Sequence, residues 1–146
     1  MNNNLPTVII TGGAGFIGSA LCRYLVNGEL ANVINFDKMT YAANSESLRE
    51  IEQNTLYTFE QGDICDRSRL DWLFEQYQPD LIISDTAGWR LDQYLLREAN
   101  RRKIKTATVI VGWDNPSSQG LPGAYVDYAI VWSEIHKWEM SKGIDW

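Results

Sequence analysis

The chain is poor in the residues that most directly advertise a chemistry. It holds one histidine and two cysteines, so no second imidazole is available for a zinc set or a proton shuttle, and His136 reads as a helix-surface residue. Cys22 and Cys65 form no C-x-x-C pair, which points to two reduced packing thiols and no metal site. Basic residues are also scarce: 13 Lys and Arg against 19 Asp and Glu leave a net charge of −6. That field repels nucleic-acid backbones and anionic membranes, so neither is an expected partner, and an anionic ligand would have to be held by local donors. No apolar run approaches the roughly 18 residues that span a bilayer. The opening Met1-Asn2-Asn3-Asn4-Leu5-Pro6 lacks a basic stretch followed by an apolar one, and a cytoplasmic location is expected.

What is present describes a globular α/β chain. Hydrophobic residues make up 45% and charged residues 22%, the balance of a chain that can bury one sizeable core, and residues 1–146 read as a single domain without linker or repeat. The two halves differ in charge: residues 1–82 hold 5 basic and 11 acidic residues, residues 83–146 hold 8 of each. Five of the six tryptophans also follow residue 83, so a sequence junction is placed near residues 80–85.

Strand and helix patterns alternate along the chain. Thr7 to Thr11 is a β-branched run ending in glycines, and Phe16 to Val26 has apolar residues at helical spacing before an Asn27-Gly28 stop. Asn32 to Phe36 forms a second strand ending at Asp37. Asn44 or Ser45 caps a short helix through Ile51, Leu56 to Glu60 is a third strand, and Asp66 caps a helix ending before Pro79. A fourth strand at Asp80 to Ser84, a helix from Leu91 to Lys103, a fifth strand at Thr106 to Gly112, a sixth at Tyr128 to Trp132 and a last helix from Ser133 to about Lys142 follow. The expected architecture is a doubly wound, Rossmann-like parallel sheet of five to six strands with helices on both faces, in the order 3-2-1-4-5-6.

The chemistry concentrates at one turn. Gly12-Gly13-Ala14-Gly15-Phe16-Ile17-Gly18 spaces glycines as G-x-x-G-x-x-G between a strand and a helix. The first permits the sharp turn, the second lets main chain approach a pyrophosphate, and the third lets helix and strand pack closely. Free N–H groups at Gly15, Phe16 and Ile17 would then face an anion at the positive end of the helix. Nineteen residues after Gly18, Asp37 closes the second strand, where a carboxylate can accept both adenosine ribose hydroxyls. A 2′-phosphate would meet that charge, so NAD is favoured over NADP, while Lys38 partly offsets the repulsion. Asp63 and Ile64, at the end of the third strand, are placed to meet the adenine edge and face.

The blocks ITGGAGFIGSALCRYLVN, NFDKMTYAANSESL, FEQGDICD and QPDLII, in that order over residues 7–83, resemble the N-terminal half of dTDP-glucose 4,6-dehydratases, extended short-chain dehydrogenases/reductases that use tightly bound NAD. The resemblance implies that Gly12, Gly15, Phe16 and Ile17 meet the pyrophosphate, Asp37 the adenine ribose, Lys38 and Thr40 the nearby ribose and phosphate, and Asp63 with Ile64 the adenine. It stops after the fourth strand: where that family reads like H-L-A-A-E, this chain has Ser84-Asp85-Thr86-Ala87-Gly88. None of the seven tyrosines has a lysine four residues later, so the family's Tyr-x-x-x-Lys acid/base pair is missing and no catalytic residue is assigned.

Residues 80–146, through GWDNPSSQG and DYAIVWSEIHKWE, resemble less specifically a stretch of Rossmann-like glycosyltransferases, which implies a natural or engineered chimera. Asp114-Asn115 reads first as an Asx turn before Pro116, and the basic run Arg97 to Lys105 as a helix's polar face and last turn. The expected function is NAD binding without turnover, with a dinucleotide or nucleotide as the ligand. The alternatives are a ligand-free scaffold and a nucleotide-sugar-binding glycosyltransferase fragment.

Overall fold

The computed structural model describes residues 1–2, 4–84, 92–109, 123–131, 133, 134 and 137. Its elements in chain order are β1 (Thr7–Thr11), α1 (Phe16–Asn27), β2 (Asn32–Asp37), a 3-10 turn (Ser45–Leu48), β3 (Tyr57–Gln61), α2 (Arg67–Tyr77), β4 (Leu81–Ser84), α3 (Gln93–Arg101), β5 (Lys105–Val109) and β6 (Tyr128–Ile130). All neighbouring strands pair in parallel, in the order β3-β2-β1-β4-β5-β6. The chain therefore reverses its winding direction between β1 and β4, and a crevice opens there at the carboxyl ends of the strands.

Alternation along the central strands divides the core between the two faces of the sheet. Val8, Ile10 and Val33 pack with Cys22 and Val26 of α1 and with Leu48 and Ile51. Ile9, Ile34, Phe36 and Ile82 pack on the other face with Leu70, Leu73 and Phe74 of α2 and Leu95 of α3. Every residue of β2 is buried, as expected of a parallel strand covered on both sides.

One local reading changes, and the details of the others are filled in. The short helix expected to run through Ile51 is instead the 3-10 turn, capped by Asn44, whose side chain accepts from the Glu46 N–H. Bonds from Arg49 to Glu46, Ile51 to Leu48 and Asn54 to Ile51 all span three residues, which puts Leu48 and Ile51 above one another and buries both. The left-handed residue that ends α1 is Glu29 (φ 51°), while Gly28 stays right-handed. The N–H of Leu30 reaches back to the Leu25 carbonyl and that of Glu29 to Val26, a six-to-one closure that a non-glycine residue can complete at some steric cost. Strands β3, β4 and β5 also begin within one residue of the expected starts.

Leu91, Asp114, Asn115, Trp132, His136, Trp138 and Trp146, the GWDNPSSQG loop and all but Ser133, Glu134 and Lys137 of the expected last helix lie outside the described residues. Among the described residues, no helix is long and apolar enough to cross a membrane.

Arg101, Arg102 and Lys105 of the basic run are paired with the protein's own acids, and Arg97 donates to the Gly123 carbonyl. Arg101 and Arg102 both donate to Glu98, and Arg102 also reaches Asp71 at 2.8 Å, tying α3 to α2. These guanidinium hydrogen bonds, chiefly from Arg101, pull the Glu98 carboxyl from an ordinary 4.5 down to about 2. A carboxyl that is more acidic in the folded state contributes stability that is complete above its unfolded value and is lost as pH falls toward the folded one. Glu98→Gln is therefore expected to flatten the fall in urea-unfolding free energy between about pH 4.5 and about pH 2, by on the order of 1–2 kcal/mol after discounting for the exposure of Arg101.

Candidate functional site

The β1–α1 turn is shaped by contacts that only small residues allow. Gly12 has φ of 65°, left-handed backbone that a side chain would strain. Its N–H donates to the Phe36 carbonyl of β2 at 3.0 Å, and its carbonyl accepts the Gly15 N–H at 2.9 Å. A Cβ on Gly18 would stand 2.3 Å from the Gly12 oxygen and 2.7 Å from Gly13 Cα, so the close approach of α1 to the strand end requires hydrogen at that position.

Gly15 is the N-cap of α1. It supplies no capping side chain, and the first turn contains no acidic residue. The N–H groups of Phe16 and Ile17 precede the first intrahelical bond, which runs from the Ser19 N–H to the Gly15 carbonyl at 2.9 Å, so no intrahelical acceptor reaches them. One expectation is corrected here: the Gly15 N–H is not open to a ligand, because it closes the turn onto Gly12. Phe16 is 93% exposed at the mouth of this turn. Beside it lies a crevice of about 250 Å³ lined by Gly12, Gly15, Ile17, Ile83, Ser84 and Val109 among others. Two amides at a helix N-terminus above such a crevice favour a bound anion even in an acidic protein.

Asp37 is 7% exposed, yet both carboxylate oxygens are engaged. Oδ2 accepts the Ala14 N–H at 2.9 Å and Oδ1 the Met39 N–H at 2.7 Å. The acid thus ties the glycine turn to the loop after β2, and each oxygen keeps lone-pair capacity for a further donor. Met39 has φ of 59°, a sterically disfavoured value for a side-chain-bearing residue, which the bond to Asp37 helps to offset.

The remaining expected residues gather near this acid. Lys38 Nζ lies 2.6 Å from Asp63 Oδ2, and Asp63 Oδ1 accepts the Cys65 N–H at 2.9 Å. The Lys38 ammonium therefore already has a partner in the neighbouring strand-end loop. Its hydrogen bond and charge hold the Asp63 carboxyl below its usual range. Ile64 packs partly against the core face that holds Phe36 and Leu70. Thr40 is exposed, and its carbonyl accepts the Ala43 N–H at 3.0 Å.

The two cysteines diverge. Cys22 is a buried packing thiol, pushed by burial up to about 12. Cys65 is exposed, which corrects the expectation that both are packing residues; it sits in the turn closed by Asp63, and burial and the neighbouring Asp63 carboxylate push its thiol up. Among the described residues, no group of three or more His, Cys, Asp or Glu is placed to hold a metal ion.

Two features were not anticipated. Asn35 lies fully buried beneath the turn: its Nδ2 donates to the Tyr57 hydroxyl at 2.9 Å, and its Oδ1 has no hydrogen-bond partner. A Cβ on Gly13 would come within 2.2 Å of that oxygen, so Gly13 has a packing duty of its own. Asparagine inside a β-branched strand was the available signal. The second feature is Ser84, which lines the crevice and donates to Asp92 Oδ2 at 2.5 Å. This bond secures the start of α3 to the end of β4.

Comparison with known proteins follows the same outline. The family described as "NAD dependent epimerase/dehydratase family" matches residues 8–110. A dTDP-glucose 4,6-dehydratase from Haemophilus influenzae is 50% identical over 89 residues, covering 61% of this chain and 26% of that protein. One from Neisseria gonorrhoeae is 49% identical over 86 residues, covering 59% and 25%. The chain thus matches about a quarter of the length of these curated relatives.

Among solved structures, the dTDP-glucose 4,6-dehydratase of Bacillus anthracis in complex with NAD superposes with a TM-score of 0.69 at 23% identity, covering 93% of this chain and 47% of that one, a likeness of fold. The dTDP-glucose 4,6-dehydratase of Streptomyces venezuelae, solved with NAD bound, gives a TM-score of 0.60 at 29% identity, covering 70% and 38%.

Replacing Asp37 by asparagine places an NH2 against one of two main-chain donors. The expected result is a loss of about 1–3 kcal/mol in urea-unfolding free energy, the usual effect of leaving a buried polar group unpaired.

Proposed function

Because the chain belongs to the NAD dependent epimerase/dehydratase family, we propose that it binds NAD through the adenosine diphosphate half, at the β1–α1 turn and the end of β2. The observation that carries this reading is the pairing of an uncapped helix N-terminus with a fixed acid: the Phe16 and Ile17 amides stand at one end, and the anchored Asp37 carboxylate at the other. In the proposed complex these two amides hold the diphosphate, and Gly12 and Gly15 keep the approach free of side chains. Asp37 accepts from the ribose hydroxyls, Lys38 and Thr40 lie beside the ribose and phosphate with the Lys38 ammonium turned to Asp63, and Asp63 with Ile64 borders the adenine. A 2′-phosphate would stand against the Asp37 charge, which favours NAD over NADP.

Bound NAD supplies a hydride acceptor. No Tyr-x-x-x-Lys pair occurs in this sequence to move the accompanying proton, so the chain by itself is a cofactor-binding unit without turnover. Dehydration of a nucleotide sugar, the activity in the names of the relatives, would need acid/base and substrate groups from outside this stretch.

Calorimetric titration tests the reading directly. NAD is expected to bind the unsubstituted chain, and Gly15→Trp, whose indole would fill the diphosphate approach, to weaken binding by more than about tenfold, equivalent to about 1.4 kcal/mol. An absence of NAD binding by the unsubstituted chain would defeat the proposal. Comparable affinity for ADP and NAD is expected if only the adenosine diphosphate half is held, and preferential binding of a nucleotide sugar would favour the glycosyltransferase-like alternative.

A further inference from the structure

Resting on the reading that NAD occupies this site, we infer that Asp63 is a cofactor-specificity residue: it selects against a 2′-phosphorylated dinucleotide by holding Lys38 out of that phosphate's reach. Lys38 directly follows Asp37 in sequence, which makes it a cation able to neutralise a phosphate on a ribose held by that acid. Left unpaired, it would counter the repulsion that Asp37 exerts.

The backbone and the neighbouring loop together prevent this. Strand β2 ends at Asp37, and the left-handed Met39 turns the chain back so that its N–H meets Asp37 Oδ1. Lys38 is thereby carried at the tip of a tight turn. Its ammonium crosses to the end of the adjacent strand and meets Asp63 Oδ2 at 2.6 Å. Strands β2 and β3 are in register up to the pair Asp37 and Gln61, which brings the two loops side by side. Asp63 is itself fixed, because its other oxygen accepts the Cys65 N–H. The ammonium is thus offered a preset acceptor, and recruiting it to a phosphate means first breaking that pair. Hydrogen bonding and charge push the Lys38 amine up and the Asp63 carboxyl down, so both partners remain charged at neutral pH.

The Lys38 side chain is 61% exposed and that of Asp63 32%, and an ion pair this wet has a modest strength. The effect is accordingly a bias in the ratio of two affinities rather than an absolute gate. Asp63→Asn keeps an oxygen for the Cys65 N–H while removing the charge that holds Lys38. It is expected to lower the ratio of the NADP to the NAD dissociation constant by about two- to fivefold. Asp63→Ser, which also leaves a hydroxyl acceptor for that N–H, should move the ratio in the same direction. Adding Lys38→Ala to Asp63→Asn should return the ratio most of the way to its original value.

The experiment is isothermal titration of NAD and NADP into each variant at one low ionic strength, with circular dichroism to verify folding. A ratio unchanged in both Asp63 variants overturns the inference, as does a fall that persists when Lys38 is also removed. If the unsubstituted chain binds NAD while either of those results is found, the cofactor reading stands and only this inference fails. If it binds neither dinucleotide, both fail together.

Discussion

A single buried carboxylate joins the parts of this molecule that bear on its function. Asp37 accepts one main-chain N–H from inside the glycine turn and another from the loop after its own strand. These two bonds set the turn between β1 and α1 relative to the end of β2. Burying a carboxylate is costly unless it is hydrogen-bonded, and here the compensation comes from backbone donors of fixed position rather than from a mobile cation. The acid is consequently presented in one orientation, with its spare acceptor capacity directed by the same geometry that shapes the turn. A residue expected only to read a sugar is also a structural tie.

The turn itself is governed by how closely α1 approaches the strand. Gly18 sets the approach of helix to turn, and Gly13 sets that of the turn to the Asn35 amide beneath. Because no side chain caps α1, the positive end of the helix is left to whatever fills the crevice. The division of labour is consistent: glycines create the space, backbone amides supply partial positive charge, and Asp37 supplies full negative charge a short distance away. In the proposed complex it is the two amides, not the acid, that would let a chain of net charge −6 hold a diphosphate at one point of its surface.

Outside that turn, the charged residues mostly satisfy one another. Glu98 joins two arginines, Asp127 takes Lys105 together with the Thr106 N–H and hydroxyl, and Glu60 takes both Arg69 and the Tyr77 hydroxyl. The Glu60 cluster links β3 to α2 and the Asp127 cluster links β5 to the segment before β6, while Arg101, Arg102 and Lys105 of the Arg97 to Lys105 run are each paired with an acid. The Lys38 and Asp63 pair belongs to the same pattern, but it lies at the carboxyl ends of the strands, where ligands of open parallel sheets bind.

Sequence alone determined the order of strands and helices, their parallel winding, the position of the glycine turn and the acid at the end of β2. These follow from rules that act over a few residues: steric limits on backbone angles, a helical period of 3.6, a short β-branched run, and a caps-and-breakers grammar visible at Asp66 and Asn44. The structure decided which of the turn's amides are spent internally, that Gly13 rests on Asn35, that Ser84 meets Asp92, and that Lys38 faces Asp63. The first is settled inside the turn itself, but the contacts of Gly13 with Asn35 and of Lys38 with Asp63 depend on register between strands and loops far apart in sequence, where a shift of one residue would send a strand side chain to the opposite face of the sheet. Local patterns carry no record of that register. It is established only when both faces of the sheet are packed at once.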